Sequence, residues 1–234
     1  MLSFLGETMH SRLSPLALIL FAFPLFAYPL AAETPEPGWI ADARTECRVW
    51  NPNPEPNPKT TISWSGACAN GVAQGHGVLQ WFVDGKPGQR YEGEFRDGKE
   101  NGRGVLTFTN GSRYEGEYRD GKFNGHGVYT YADGGRYEGE YLDGKADGRG
   151  VYSWANGAHY EGEFGGGKRN GQGSFTSADG NRYRGQYRDN RPNGAGIFET
   201  ADGDAISGTW VNGCLGQGDS WAAVGVPKEE CGFK

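Results

Sequence analysis

Positive charge is in short supply in this chain. Its 23 lysines and arginines are outnumbered by 29 aspartates and glutamates, for a net charge of −6. Nucleic acid needs a phosphate-neutralising basic surface, so it is not an expected partner. Anionic lipid is disfavoured more mildly, because a local patch can differ from the whole. Catalytic signatures are missing too: no nucleophile-elbow, phosphate-loop or zinc-protease pattern occurs. The four cysteines form no Cys-x-x-Cys pair, which speaks against a zinc site. No cofactor is implied.

What is abundant is glycine, with 41 residues, and aromatic side chains, at 13%. They fall in a fixed order. Tyr114-Glu115-Gly116-Glu117-Tyr118 is followed by Gly121, Gly125 and Gly127. The same pattern starts at Tyr91, Tyr137, Tyr160 and Tyr183, always 23 residues apart. A period of this size marks a repeat architecture. Trp64 opens a related unit upstream, with Cys68 in the second aromatic position, and Ile206 to Trp210 opens another downstream that soon loses register. Deviating terminal units are expected of an array that needs caps.

These motifs resemble the MORN (membrane occupation and recognition nexus) repeat family over residues 62 to 218. The resemblance implies an elongated array of β-hairpins. It also implies partners of two kinds, phospholipid membranes and proteins, with self-association open.

The residues alone lead to the same all-β fold class. In Tyr91-Glu92-Gly93-Glu94-Phe95 the side chains alternate between faces, aromatic and glycine on one, charge on the other. The Gly102, Gly104, Leu106 run behaves likewise. The expected architecture is an elongated antiparallel meander of about seven stacked hairpins, twisted throughout, ~65 Å long at ~4.8 Å per strand. Asn110-Gly111, Asp133-Gly134 and their counterparts read as the tight turns between units. Longer glycine-rich turns such as Asp97 to Gly102 read as the reversals within them.

In chain order, residues 1–32 read as a secretory signal peptide, with an apolar run from Leu13 to Ala32 behind His10 and Arg12. An uncleaved membrane anchor is the second reading, since 20 apolar residues can span a bilayer. Residues 33–61 are proline-rich and read as a strap over the first sheet edge. The array occupies 62–218, and 219–234 form a C-terminal cap. An exported chain with an even cysteine count is expected to be disulfide-bonded. Cys47–Cys68 and Cys214–Cys231 are the expected pairs, because the two ends of a long array lie too far apart to bridge. Each loop of this size contributes ~3 kcal/mol in the loop-entropy model.

Two surfaces are candidates for function. The first is a carboxylate ladder: Glu92 and Glu94, Glu115 and Glu117, Glu138 and Glu140, Glu161 and Glu163. Strand neighbours two apart lie ~6.6–7 Å apart, which resembles a glycosidase pair. Catalytic pairs occur once, however, and this one recurs in four units, so a glycan-active enzyme is the remote reading. Arg90, Arg96, Arg103, Arg113, Arg119, Arg136 and Arg149 fall where cross-strand pairing with the ladder is expected. His76 and His126 are two units apart and cannot share a metal. The second surface is the aromatic face. Tyr91, Tyr114, Tyr137, Tyr160 and Tyr183 form one ladder. Phe95, Tyr118, Tyr141, Phe164 and Tyr187 form another. Phe108, Tyr129, Trp154, Phe175 and Phe198 are read as a third. Exposed aromatic surface is a mark of interaction. The expected protein is a non-catalytic, periplasmic or extracellular scaffold that binds a protein or cell-envelope component, with phospholipid as the second reading.

Overall fold

A computed structural model describes residues 38–53, 57–217 and 220–232. The signal-peptide reading of 1–32 lies outside these residues, as does part of the proline-rich segment.

Among the described residues sixteen strands join one sheet, and two more pair separately. From Val72–Val83 to Ala205–Trp210 each strand pairs antiparallel with the next in sequence. The units repeat as a seven-residue tyrosine strand, such as Arg113–Arg119, and a nine-residue glycine strand, such as Lys122–Thr130. Glycine opposes glycine across every pairing, as in Gly104↔Gly116 and Gly116↔Gly127. The repeat spacing therefore fixes the register.

The turns exchange the roles expected from sequence. Within a unit the reversal is the two-residue Asp97-Gly98, with φ of 51° and 73°. Two successive positive φ values match the right-handed twist of the flanking strands, which Asp-Gly supplies at low cost. Asn101 and Gly102 do not extend that turn but lie in a bulge: pairing jumps from Gly93↔Gly104 to Phe95↔Glu100. Between units Asn110-Gly111 sits in a wider loop, where Phe108 N–H donates to the Ser112 carbonyl at 2.9 Å. There the Asn110 side chain accepts from Ser112 N–H at 3.0 Å.

Both ends are closed by disulfides, Cys47–Cys68 with Cα atoms 5.8 Å apart and Cys214–Cys231 with 5.5 Å. The N-terminal segment Trp39–Ala41 and Arg48–Trp50 joins the sheet where Arg48 pairs parallel with Val72. It crosses the hairpin ends, where Arg48 N–H donates to Gly71 and Trp50 N–H to Gly98. Asp42 anchors it: the carboxylate accepts from the backbone N–H of Arg44, Thr45 and Trp64 at 2.7, 3.2 and 2.7 Å. Burial opposes charge there, but these backbone donors outweigh it and hold the carboxyl below its usual value. At the other end Cys214–Gln217 leaves the main sheet and pairs with Ser220–Ala223, which accounts for the lost register.

Candidate functional site

The aromatic face is built on the glycines. A Cβ placed on Gly150 would stand 2.5 Å from the Tyr137 hydroxyl and 2.7 Å from ring carbon Cζ. The ring therefore lies flat on bare backbone, and glycine is what admits it. Each first tyrosine donates its hydroxyl to a carbonyl three residues on: Tyr91 to Glu94, Tyr114 to Glu117, Tyr137 to Glu140, Tyr160 to Glu163 and Tyr183 to Gln186, at 2.9–3.1 Å. The second aromatic meets its own tyrosine and that of the preceding unit edge-on. Tyr141, for example, lies 5.2 Å from both Tyr137 and Tyr114. Edge-to-face contacts of this kind exploit the ring quadrupole. Tryptophans finish the layer at both ends, Trp64 against Phe95 and Trp210 against Tyr183.

This arrangement buries nine of the ten rings in the first two ladders. Tyr91, Phe95, Tyr114, Tyr118, Tyr137, Tyr141, Tyr160, Tyr183 and Tyr187 are all buried. Burial pushes the hydroxyl of Tyr137 up from its ordinary value, as it does for the other tyrosines of the first two ladders. Trp154 and Phe164 are half-buried. The third ladder separates into two rows. Leu106, Tyr129, Tyr152, Phe175 and Phe198 lie opposite the first tyrosines. Phe108, Tyr131 and Trp154 form a row beyond them, and Tyr131 is 37% exposed. Alternation settles this: residues 108, 131 and 154 are 23 apart, and so are 106, 129 and 152.

A cavity of about 400 Å³ opens in the middle of this face, with Tyr137, Ala146, Tyr152, Trp154, Phe164 and Arg169 among its lining. Sequence reasoning singled out neither Ala146 nor Arg169. The available signal was that both occupy a repeat position whose residue type changes in every regular unit.

The charged face follows expectation in part: the register sets Arg103 opposite Glu117 and Arg149 opposite Glu163, but the first glutamates are placed differently. Glu115 lies between Val105 and Val128 of the neighbouring strands, so no arginine is directly opposite it. Its partner is Arg113 on its own strand, at 2.6 Å; Arg90–Glu92 and Arg136–Glu138 repeat this at 2.8 and 2.7 Å. Exposed pairs of this kind contribute about 0–1 kcal/mol. The second glutamate folds over the bulge: Glu163 accepts from Gln172 N–H at 3.0 Å and Glu117 from His126 N–H at 3.4 Å. The ladder carboxylates thus serve two distinct structural tasks. Between the two rows runs an open trough of about 710 Å³, floored by Gly139, Gly150, Gly162 and Gly173. Among the described residues no three His, Cys, Asp or Glu side chains converge as a metal ion would require, and no helix is long and apolar enough to cross a membrane.

Comparison with solved structures finds a likeness to the SAS-4 (dCPAP) TCP domain in complex with a proline-rich motif of Ana2 (dSTIL) of Drosophila melanogaster. Identity is 14%, covering 68% of this chain and 86% of that one, with a TM-score of 0.38. A likeness this slight carries no argument about function. No curated protein matches. The MORN repeat family matches six times, at residues 69–86, 91–113, 114–136, 137–159, 160–182 and 183–205. These segments coincide with the hairpin units of the sheet, and repeats of this kind are protein or membrane-lipid interaction modules, generally without enzymatic activity. The chain belongs to the MORN repeat family.

Proposed function

We propose that the chain is an exported, non-catalytic scaffold that holds a protein or another cell-envelope component on its aromatic face. The observation that carries this reading is the outer ring row. Phe108, Tyr131 and Trp154 pack against half-buried Tyr129 and Tyr152, and the cavity opens beside Tyr131 and Trp154. Rings with a polar tip at a partly wetted surface are what protein interfaces favour. Two disulfides suit an oxidising compartment, and the apolar stretch at residues 13–32 reads as an export signal. The glutamate pairs, tied to arginines or folded over the bulges, lend no support to glycan hydrolysis.

Phospholipid is the second reading, favoured by the interaction classes of the family. Vesicle co-sedimentation of the oxidised chain from Glu33, with zwitterionic and anionic lipid in parallel, separates the two. The proposal expects the chain to stay in the supernatant with both lipids. Pelleting with either would move the protein to a membrane surface and overturn it.

A further inference from the structure

Not every position of the repeat keeps its residue type. The ninth residue after each first tyrosine is Glu100, Phe123, Ala146, Arg169 and Pro192 in turn. Their backbones do the same work. Each carbonyl accepts the N–H of the turn in the next unit, from Gly121, Gly144, Gly167, Asn190 and Gly213, at 2.8–3.0 Å. The side chains are therefore displayed at equivalent places, with different chemistry at each.

Two units define what that place is. Phe123 stacks on Tyr114, with centroids 3.7 Å apart and planes at 8°, and meets Tyr141 edge-on at 5.8 Å. The Arg169 guanidinium lies 5.5 Å from the Tyr160 ring and 5.3 Å from Tyr187. The side chain thus sits between the first tyrosine of its own unit and the second aromatic of the next. For Ala146 those neighbours are Tyr137 and Phe164. A methyl group leaves the space between them unfilled, and the cavity of about 400 Å³ opens there. The buried core divides at the same point. One cluster ends at Tyr141, the other begins at Tyr160, and half-buried Phe164 packs against both.

The lining carries charge of one sign. Lys145 and Arg169 are its only ionisable groups other than tyrosine, and neither joins an ion pair among the described residues. Arg169 instead donates to the Asn190 carbonyl at 2.6 Å and is held over rings. In an acidic chain this is a local cationic site with aromatic walls.

We propose that the cavity at Ala146 receives one aromatic side chain of a partner protein, from a segment in which an acidic residue adjoins that ring. The proposal rests on the reading of the aromatic face as a protein-binding surface. The guest ring takes over Tyr137 the position that Phe123 takes over Tyr114. The neighbouring carboxylate faces Lys145 and Arg169. A ring anchored in a pocket and ringed by aromatic side chains is the usual form of an interface hot spot. The cations add selectivity for charge.

The test is an NMR titration of the intact oxidised chain with three capped peptides: acetyl-Asp-Trp-Asp-amide, acetyl-Lys-Trp-Lys-amide and acetyl-Asp-Ala-Asp-amide. The first is expected to shift the Trp154 and Tyr152 ring signals saturably, and the other two to bind at least tenfold more weakly. Ala146→Phe rebuilds the Phe123 arrangement and should weaken the first peptide at least tenfold; Ala146→Leu serves if that variant does not fold. Arg169→Gln should narrow the preference for the acidic over the basic peptide. A response that does not saturate, equal binding of acidic and basic peptides, or full binding by folded Ala146→Phe would overturn the proposal. If a partner still crosslinks to Tyr131 in Ala146→Phe, the pocket is excluded while the aromatic face survives as an interface.

Discussion

Replacing Gly150 by alanine isolates the contact on which the fold depends. The backbone at Gly150 is not in the left-handed region, so alanine fits its φ and on chain entropy alone would stabilise by about 0.4–1 kcal/mol. The opposing effect is steric. The new methyl would stand 2.5–2.7 Å from Tyr137, against a carbon–carbon optimum of about 3.5–4.0 Å, so the ring must move by roughly 1 Å. Tyr137 is 2% exposed, bonded to the Glu140 carbonyl at 3.0 Å and set edge-on to Tyr141 and Phe164 at 5.2 and 5.0 Å. Moving it gives up a hydrogen bond of about 0.5–1.5 kcal/mol and ring contacts of similar size. The net cost is about 1–3 kcal/mol, or several degrees in melting temperature for a chain of this length. Urea unfolding followed by near-ultraviolet circular dichroism measures it. A double-mutant cycle with Tyr137→Ala supplies the control, because without the ring the methyl should cost nothing. The reasoning is refuted if Gly150→Ala is neutral, or if its cost persists undiminished beside Tyr137→Ala.

Three further outcomes follow from the same contacts. Tyr114→Phe should cost about 0.5–1.5 kcal/mol because its hydroxyl is bonded, whereas Tyr118→Phe should cost nothing or stabilise, since the buried Tyr118 hydroxyl has no hydrogen-bond partner in the structure; paired urea midpoints decide it. Burial pushes the Glu100 carboxyl from 4.5 up to about 7, so the unfolded chain releases its proton first. Stability that is complete below about pH 4.5 is then lost as pH rises towards 7, by up to about 3 kcal/mol, and Glu100→Gln should recover it at pH 8 while changing little at pH 4. Equal midpoints for the two proteins at pH 8 would contradict this. Asp42 has the opposite sign: its carboxyl is held below 3.8, so its contribution is present above that pH and lost as pH falls through the folded value. Asp42→Ala should leave the Trp64 amide without its acceptor, cost about 1–3 kcal/mol and speed hydrogen exchange at that amide.

Much of this fold can be read in the sequence because its signals are redundant. The 23-residue step, the alternation around Tyr114 and the cysteines outside the units each point to the same hairpin array with stapled ends. The turns were less legible because Asp97-Gly98 and Asn110-Gly111 carry the same dipeptide chemistry. Only the pairing distinguishes a two-residue reversal from a five-residue loop, and the bulge that follows Asp97-Gly98 is invisible in a residue pattern. The arginine partners of the first glutamates were illegible for a related reason, while Arg103 and Arg149 do face Glu117 and Glu163. Which residue lies opposite Glu115 depends on register, and register places valine there. The aromatic face was legible as a face but not in depth. The pattern names every ring on it, yet burial depends on how each ring lies over a glycine of the paired strand. Ala146 escaped because it breaks a repeat without forming a motif of its own.

The most direct test of the scaffold reading compares the two faces of one sheet. A photo-crosslinking side chain is placed at Tyr131 on the aromatic face or at Val128 on the charged face, in the intact chain in its native compartment. The account predicts a discrete protein adduct from Tyr131 and none from Val128. Adducts from Val128 alone, equal adducts from both, or no protein adduct from Tyr131 would contradict it.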